Sequence, residues 1–323
     1  MPHVFRLLLT GLLCTLGALT PAWATYPERP ITLVVPYPPG SMGTAFGNLV
    51  SETIAPALGQ RMVVEYKPGA NGTLGAAYVA KTPADGYTLL MAVNSTMTIN
   101  PSLYGQLPFD PLKDFAPISM VFTSANLLVV NASSPVKTVQ QLIELARKRP
   151  GKVFYGSAGN GSTTHLSGEM FRQISGAPLA HVPYRGSGPA ISDLLGGQLD
   201  FIFVDTSALA HVAAGRLRAL AVTGKTRLAA APEVPTMEEA GIKGFYVDTW
   251  YSLAAPAGTP PEVVQRLSAE VARMVASPTV RERMRHMGTD PAVDTRPAHL
   301  GEVMRADTAR WKKFLDGTRI RLD

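Results

Sequence analysis

Strand-like apolar runs alternate with amphipathic helical stretches along most of this chain, and this alternation constrains the fold more than any other feature. Residues 31–37 form a β-prone run that Pro38-Pro39-Gly40 closes, and Phe46, Leu49 and Val50 then recur at helical spacing. Further strands are predicted at 61–66, 88–93, 127–130, 153–157, 179–184, 199–205, 217–222 and 247–255, and three helices near 260–276, 278–287 and 297–315 follow. The pattern predicts the α/β class, with parallel sheets covered by helices.

The strand–helix series restarts near residue 127, and a length of 323 residues is enough for two domains. We therefore expect two Rossmann-like lobes. Lobe 1 would comprise residues 25–125 plus 250–323, and lobe 2 residues 126–249. The runs at 127–130 and 247–255 are the candidate strands that cross between them. Ligands of open α/β sheets bind beyond the carboxyl ends of the strands, which places a site in the crevice between the lobes.

Residues 1–24 read as a secretory signal peptide. His3 and Arg6 precede a short apolar run, and Ala22-Trp23-Ala24 supplies the small residues that a signal peptidase recognises. We expect cleavage after Ala24 and a periplasmic location. Cys14, the one cysteine of the sequence, lies in this segment, so disulfides and thiol chemistry are not expected of the mature chain.

Composition and motifs argue against several functions. The formal charge of +6 comes mostly from solvated C-terminal helices without interleaved aromatic residues, which gives no support to nucleic-acid binding. The sequence has no GxSxG elbow, Walker A loop, GxGxxG fingerprint, HExxH motif or paired cysteines. We therefore expect no cofactor, no metal and no enzymatic activity.

Three loops share one composition, because each is rich in glycine and hydroxyl groups and lies between a strand and a helix. They are residues 38–44, 157–163 and 184–188. Helix N-termini leave backbone amides unpaired and carry a partial positive charge, so such loops can trap an anion. A fourth loop, which begins at Asn94 and Ser95, can add amide and hydroxyl contacts, and Asp205 ends a strand toward the same crevice. Each loop alone is also explained by ordinary helix capping.

Ser162 and His165 offer an enzymatic alternative, since they are three residues apart on one helical face. A nucleophilic hydrolase would use such a pair together with a third, orienting group. No third member is evident in the sequence, so we expect His165 to hold the loop by hydrogen bonding instead.

Ordered motifs along the chain resemble one receptor family. They are Val35-Pro36-Tyr37-Pro38-Pro39-Gly40, Lys67-Pro68-Gly69-Ala70-Asn71-Gly72, Asp85-Gly86-Tyr87-Thr88-Leu89-Leu90, Asn100-Pro101-Ser102-Leu103-Tyr104, Tyr155-Gly156-Ser157-Ala158-Gly159-Asn160-Gly161-Ser162, His181-Val182-Pro183-Tyr184-Arg185-Gly186, Leu217-Arg218-Ala219-Leu220-Ala221-Val222-Thr223 and Pro256-Ala257-Gly258-Thr259-Pro260. Together they resemble the Bug family of extracytoplasmic receptors of tripartite tricarboxylate transporters.

The resemblance implies a type II periplasmic-binding fold that closes on a carboxylate and delivers it to a large and a small membrane subunit. It implies ligand contacts by Tyr37, Gly40, Ser41, Ser157, Gly161, Ser162, Thr163, Tyr184 and Gly186. The loop compositions add Met42, Thr44, Asn94, Ser95, Asn160, His165 and Asp205 as expected contacts. We expect a monomer.

Two positions depart from the family pattern. Where relatives carry an aspartate and, four residues later, an arginine, this chain has Thr44 and Asn48. The loss predicts a pocket that prefers a carboxylate without an amino group. Di-, tri- and aromatic carboxylates remain open, and Tyr37, Met42 and Tyr184 could form an apolar wall for an aromatic acid. A sensor feeding a membrane signalling protein would use the same fold.

Overall fold

The computed structural model describes residues 26–318 and 320; the predicted signal peptide lies outside them. The first part of the chain forms β1 (Ile31–Val35), α1 (Met42–Leu58), β2 (Met62–Tyr66), a 3-10 turn (Ala70–Gly72), α2 (Thr73–Val79), β3 (Thr88–Val93), a π-helical turn (Ser95–Ile99), α3 (Asn100–Leu103) and β4 (Phe115–Ala125). The middle part forms β5 (Leu127–Asn131), α4 (Val139–Lys148), β6 (Phe154–Ser157), α5 (Thr163–Ser175), β7 (Ala180–Pro183), α6 (Ser187–Leu195), β8 (Phe201–Val204), a 3-10 turn (Thr206–Ala208), α7 (Leu209–Ala213) and β9 (Leu217–Val222). The last part forms β10 (Asp248–Pro256), α8 (Pro261–Ala276), α9 (Pro278–His286), β11 (Asp290–Pro291) and α10 (Pro297–Asp316).

The strands form two sheets. The first has the order β11-β4-β10-β3-β1-β2, and the second has the order β7-β6-β8-β5-β9. Strands β2, β1 and β3 are parallel, as are β7, β6 and β8, while β10 and β5 each run antiparallel to their neighbours. Among the parallel strands, β1, β3 and β8 are nearly continuous buried apolar runs, as is typical where helices cover both faces of a sheet. The predicted α/β class with two lobes is confirmed.

Strand β4 was not predicted from the sequence. It is the longest strand among the described residues, with 11 residues, and it pairs with β10 along most of its length. Pro117 lies inside it and lacks the amide of an ordinary ladder residue, and Ser119 and Ser124 interrupt its apolar pattern. The segment predicted to cross at 127–130 belongs wholly to the second sheet, and the chain crosses at Asn126, between β4 and β5.

The chain crosses back to the first sheet just before β10, and the side chain of Thr223 ties this second crossing to the first. Thr223 Oγ1 accepts a hydrogen bond from the backbone amide of Asn126 at 2.8 Å and donates one to the carbonyl of Val247 at 2.5 Å. Beside them, Ala125 and Asp248 are register partners at the ends of β4 and β10. The hinge is therefore a short, hydrogen-bonded pair of connections.

The C-terminal helix packs on both lobes. In α10, Leu300 and Met304 belong to a core cluster of the first sheet, whereas Trp311 and Leu315 lie fully buried in a cluster with Leu128 and other residues of the second sheet. The helix therefore belongs to neither lobe alone, and its second half reinforces the hinge.

Candidate functional site

The loop after β1 is built around Tyr37 and Gly40. The Tyr37 hydroxyl lies 2.7 Å from Ser95 Oγ and 2.9 Å from Thr96 Oγ1, so the first loop is joined to the loop after β3. Burial raises the pKa of Tyr37, because ionisation would place a charge in an apolar setting. The hydroxyl group of Tyr37 is therefore neutral, and its partners Ser95 and Thr96 are buried beneath the loop.

Thr44 stabilises the same loop by a hydrogen bond within it. Its Oγ1 accepts the amide of Gly40 at 2.8 Å, and Ser41 Oγ donates to the carbonyl of Pro38 at 2.8 Å. Asn48, one turn further along α1, is exposed. Thr44 thus places at this position a hydroxyl that stabilises the turn and brings no negative charge.

The loop after β6 satisfies most of its own backbone amides. The amides of Ala158, Gly159 and Gly161 donate to Thr164 Oγ1, Ser157 Oγ and His165 Nδ1 at 2.9, 3.2 and 3.1 Å. The amides of Gly40, Gly161 and Gly186 are all paired within the protein, so the free donors expected at the helix N-termini are not these glycine amides. Helix geometry leaves the backbone amides of the first turn without an intrahelical acceptor, and these are the amides of Met42 and Gly43 in α1 and of Thr163 and Thr164 in α5.

Ser162 acts as the N-cap of α5. Its Oγ accepts the amide of His165 at 3.2 Å and donates to the carbonyl of Gly159 at 2.6 Å. His165 Nδ1 is meanwhile occupied by the amide of Gly161. The predicted loop-holding role of His165 agrees with this geometry, whereas the nucleophile–base pair that a hydrolase needs is not assembled between these atoms.

Behind the loop, aromatic rings and histidines form a stack. His165 lies on His181 with ring centroids 4.1 Å apart, and His181 lies on Tyr155 at 4.8 Å. Burial, together with the neighbouring His165, lowers the pKa of His181 to about 4, and burial also lowers the pKa of His165. Both imidazoles are neutral at pH 7, so His165 Nδ1 can accept the amide and His181 Nε2 can bond Ser157 Oγ at 2.7 Å.

The loop after β7 and the end of β8 form the remaining wall. Ser187 Oγ donates to Asp205 Oδ2 at 2.6 Å, and the amide of Ser207 donates to Asp205 Oδ1 at 2.9 Å. Both oxygens of Asp205 are therefore engaged within lobe 2. Tyr184 donates its hydroxyl to Asp193 at 2.7 Å, and burial together with this carboxylate raises the pKa of Tyr184 to about 12.

Several groups from the two lobes meet. Asn71 Nδ2 of lobe 1 donates to the carbonyl of Gly161 of lobe 2 at 3.2 Å, and Thr249 on β10 bonds Thr163 at 3.0 Å between their hydroxyl oxygens. Burial raises the pKa of Tyr251 well above its usual value, and the charges of Asp205 and Tyr37 add to this shift. The two lobes thus meet at Asn71 with Gly161 and at Thr249 with Thr163.

Other predicted site residues take different positions. Asn94 is fully buried and donates to the carbonyl of Asp248 at 2.7 Å, which makes it a hinge contact, and Asn160 is exposed. Met42 packs with Tyr37 on the core of the first sheet, while Tyr184 packs on a core of the second. Asn71, which contacts the other lobe, was not singled out from the sequence, although the turn Gly69-Ala70-Asn71-Gly72 that holds it was a usable signal.

The described residues hold neither a cluster of three or more metal-ligating side chains nor a helix long and apolar enough to cross a membrane. Comparison with known proteins then gives the family. The model of the tripartite tricarboxylate transporter family receptor matches residues 48–319. The chain belongs to this family of periplasmic receptors. The predicted Bug-family resemblance is thereby confirmed.

Relatives cover nearly the whole chain. Protein BugT of Bordetella pertussis is 35% identical over 313 residues, which cover 96% of either chain. Among solved structures, R. palustris Rpa4515 with adipate has a TM-score of 0.85 at 35% identity, with 90% of this chain and 97% of that one covered. MatC from Rhodopseudomonas palustris with bound malate has a TM-score of 0.81 at 30% identity, with 89% and 99% covered.

Proposed function

We propose that this receptor captures a small carboxylate in the crevice between its lobes and delivers it to the membrane subunits of a tripartite transporter. The observation that supports the proposal is that Thr163, at the N-terminus of α5, contacts Thr249 of the first sheet, while the loop before α1 is bonded through Tyr37 to Ser95. Two solved relatives hold adipate and malate, which agrees with this ligand class.

The energies are sufficient for useful affinity. A hydrogen bond to a charged group contributes about 1.5–3 kcal/mol, and micromolar binding needs about 8 kcal/mol. Four or five donors from the first turns of α1 and α5 and from Tyr37 and Ser95 would supply that, so binding needs no buried arginine.

We further propose that the ligand lacks an amino group. An ammonium group needs an anionic partner, but in the first loop Thr44 supplies only a hydroxyl, which already accepts the amide of Gly40. In calorimetry we expect malate or adipate to bind at least tenfold more tightly than aspartate. Tight binding of aspartate with no response to the dicarboxylates would contradict this preference.

The role of the backbone amides can be tested directly. Met42 and Thr163 are the first residues of their helices and follow residues with extended backbone, Ser41 and Ser162, so proline fits at both positions without its amide. Against the matched controls Met42→Ala and Thr163→Ala, Met42→Pro and Thr163→Pro should each weaken carboxylate binding at least tenfold. Equal affinities of each proline variant and its alanine control would end the proposal that these amides hold the anion.

The proposal covers export and assembly as well. We propose that the chain is exported, cleaved after Ala24 and acts as a monomer with one carboxylate and the two membrane subunits as partners. Mass spectrometry of the protein recovered from the periplasm checks the cleavage site, and light scattering checks the monomer.

A further inference from the structure

The turn before α2 has an unusual backbone. Gly69, Ala70, Asn71 and Gly72 are four consecutive residues with positive φ, at 139°, 45°, 51° and 87°. Ala70 and Asn71 are the two non-glycine residues with positive φ in the described part of the chain. Such residues are strained and persist where surrounding structure holds them, often at binding sites.

Hydrogen bonds within lobe 1 hold this turn in place. The carbonyl of Asn71 accepts from Thr96 Oγ1 at 3.1 Å and from Asn100 Nδ2 at 3.2 Å, and Asn71 Nδ2 donates to Asn100 Oδ1 at 2.9 Å. A Cβ on Gly72 would lie 2.3 Å from Thr96 Oγ1 and 3.2 Å from the Tyr37 hydroxyl. The turn is therefore seated on the hydroxyl groups beneath the first loop of lobe 1.

From this strained turn, the side-chain amide of Asn71 points toward lobe 2. Besides Asn100, Asn71 Nδ2 reaches the carbonyl of Gly161 at 3.2 Å. Gly161 is buried, has φ of 76°, and donates its own amide to His165. Gly161 is thus bonded through its carbonyl to lobe 1 and through its amide to lobe 2.

Another contact joins the lobes through a different pair of elements. Thr206 Oγ1, after β8, donates to the carbonyl of Met287, after α9, at 2.7 Å, and Gly288 packs closely on Thr206. Opening the crevice by separating the lobes at these points would break both hydrogen bonds.

We propose that Asn71 is a positioning residue of the receptor, a latch that holds the closed state by donating to Gly161 and so keeps the carboxylate from leaving. The inference rests on the proposed function, since it concerns release of the captured carboxylate. Because the latch forms only when the lobes meet, it slows opening and has little influence on the first encounter with the ligand. Neither partner is charged, so the effect on affinity is modest.

Release kinetics test the latch. Asn71→Gly keeps the positive φ and removes the side-chain amide, while Ala70→Gly changes the flexibility of the same turn and leaves the latch intact. With malate or adipate, Asn71→Gly should raise the dissociation rate about threefold to tenfold, and the association rate should stay within about twofold of that of the wild type. Ala70→Gly should leave both rates close to those of the wild type.

Two further measurements keep the test decisive. Asn71→Asp keeps the size and the tolerated backbone but turns a carboxylate oxygen toward the Gly161 carbonyl, so it should raise the dissociation rate at least as much. If wild type binds none of the acids, the proposed function fails, and small-angle scattering of the unliganded protein then tests the latch alone. A larger radius of gyration for Asn71→Gly than for Ala70→Gly would support the latch. Equal radii, or unchanged release rates in a receptor that binds, would overturn it.

Discussion

Lobe 1 supports its side of the crevice with side-chain hydroxyls, whereas lobe 2 uses a backbone loop supported from behind by rings. In lobe 1, the hydroxyl groups of Tyr37, Ser95 and Thr96 form a hydrogen-bonded cluster under the first loop. In lobe 2 the loop at 157–162 is shaped by its own hydrogen bonds and by the stack of His165 on His181 and Tyr155.

The difference lies in what each surface depends on. Hydroxyl groups titrate far from neutral pH, so lobe 1 keeps its geometry across the ordinary pH range. The lobe 2 loop depends on an unprotonated imidazole, because His165 Nδ1 must accept the amide of Gly161. The free energy of unfolding should therefore respond differently in the two lobes to added side-chain bulk behind the loops and to low pH.

The largest expected effect comes from crowding the stack in lobe 2. A Cβ on Gly168 of α5 would lie 2.1 Å from Tyr155 Cε2, and that ring is held by its neighbours and by a 2.7 Å hydrogen bond to Glu169. Gly168→Ala should lower the free energy of unfolding by about 3 kcal/mol, since the ring has no room to shift. Denaturant unfolding measures this loss of unfolding free energy, and a carboxylate titration measures whether the variant still binds.

Gly47 of α1 is the matched control in lobe 1. A Cβ there would meet Val64 Cγ1 at 3.1 Å, a contact that a small shift relieves, and alanine gains helix propensity. Gly47→Ala should therefore stay within about 1 kcal/mol of the wild type. Equal losses in the two variants would show that the stack is no more rigid than the core of lobe 1.

Sequence reasoning found the elements that have strong local signals. The strands at 88–93 and 217–222 match β3 and β9, and the three C-terminal helices lie where helical spacing predicts them. It missed β4, because Pro117 and scattered hydroxyl residues hide a strand that tertiary pairing stabilises. For the site, composition found the three loops but not which amides are already used, since side-chain partners such as Thr44 and His165 become visible only after folding.

The second expected effect is on pH dependence. The pKa of His181 is lowered to about 4 in the folded protein, against about 6.5 when unfolded, so the unfolded chain binds more protons between these values. The free energy of unfolding should then fall as the pH drops from 6.5 to 4, by up to about 1.4 kcal/mol per pH unit for this group and on the order of 2–3 kcal/mol in total. The lowered pKa of His165 acts in the same direction.

Replacing the histidine separates its contribution. His181→Gln should flatten the pH dependence in that window relative to the wild type. Urea unfolding at half-unit pH steps gives both slopes. If the slope of His181→Gln matched that of the wild type, the lobe 2 stack would be no more sensitive to acid than lobe 1.

The smallest expected effect is the loss of one hydroxyl in lobe 1. Tyr37→Phe removes the group that bonds Ser95 and Thr96 and should cost about 1 kcal/mol of unfolding free energy. The pH dependence between 4 and 6.5 should stay that of the wild type, because a tyrosine does not titrate there. Tyr78→Phe, at a side chain that is 44% exposed, is the control and should change neither quantity. A pH-dependent loss in Tyr37→Phe would mean that the lobe 1 hydroxyls are coupled to the histidine stack across the crevice, and the contrast between the two surfaces would then fail.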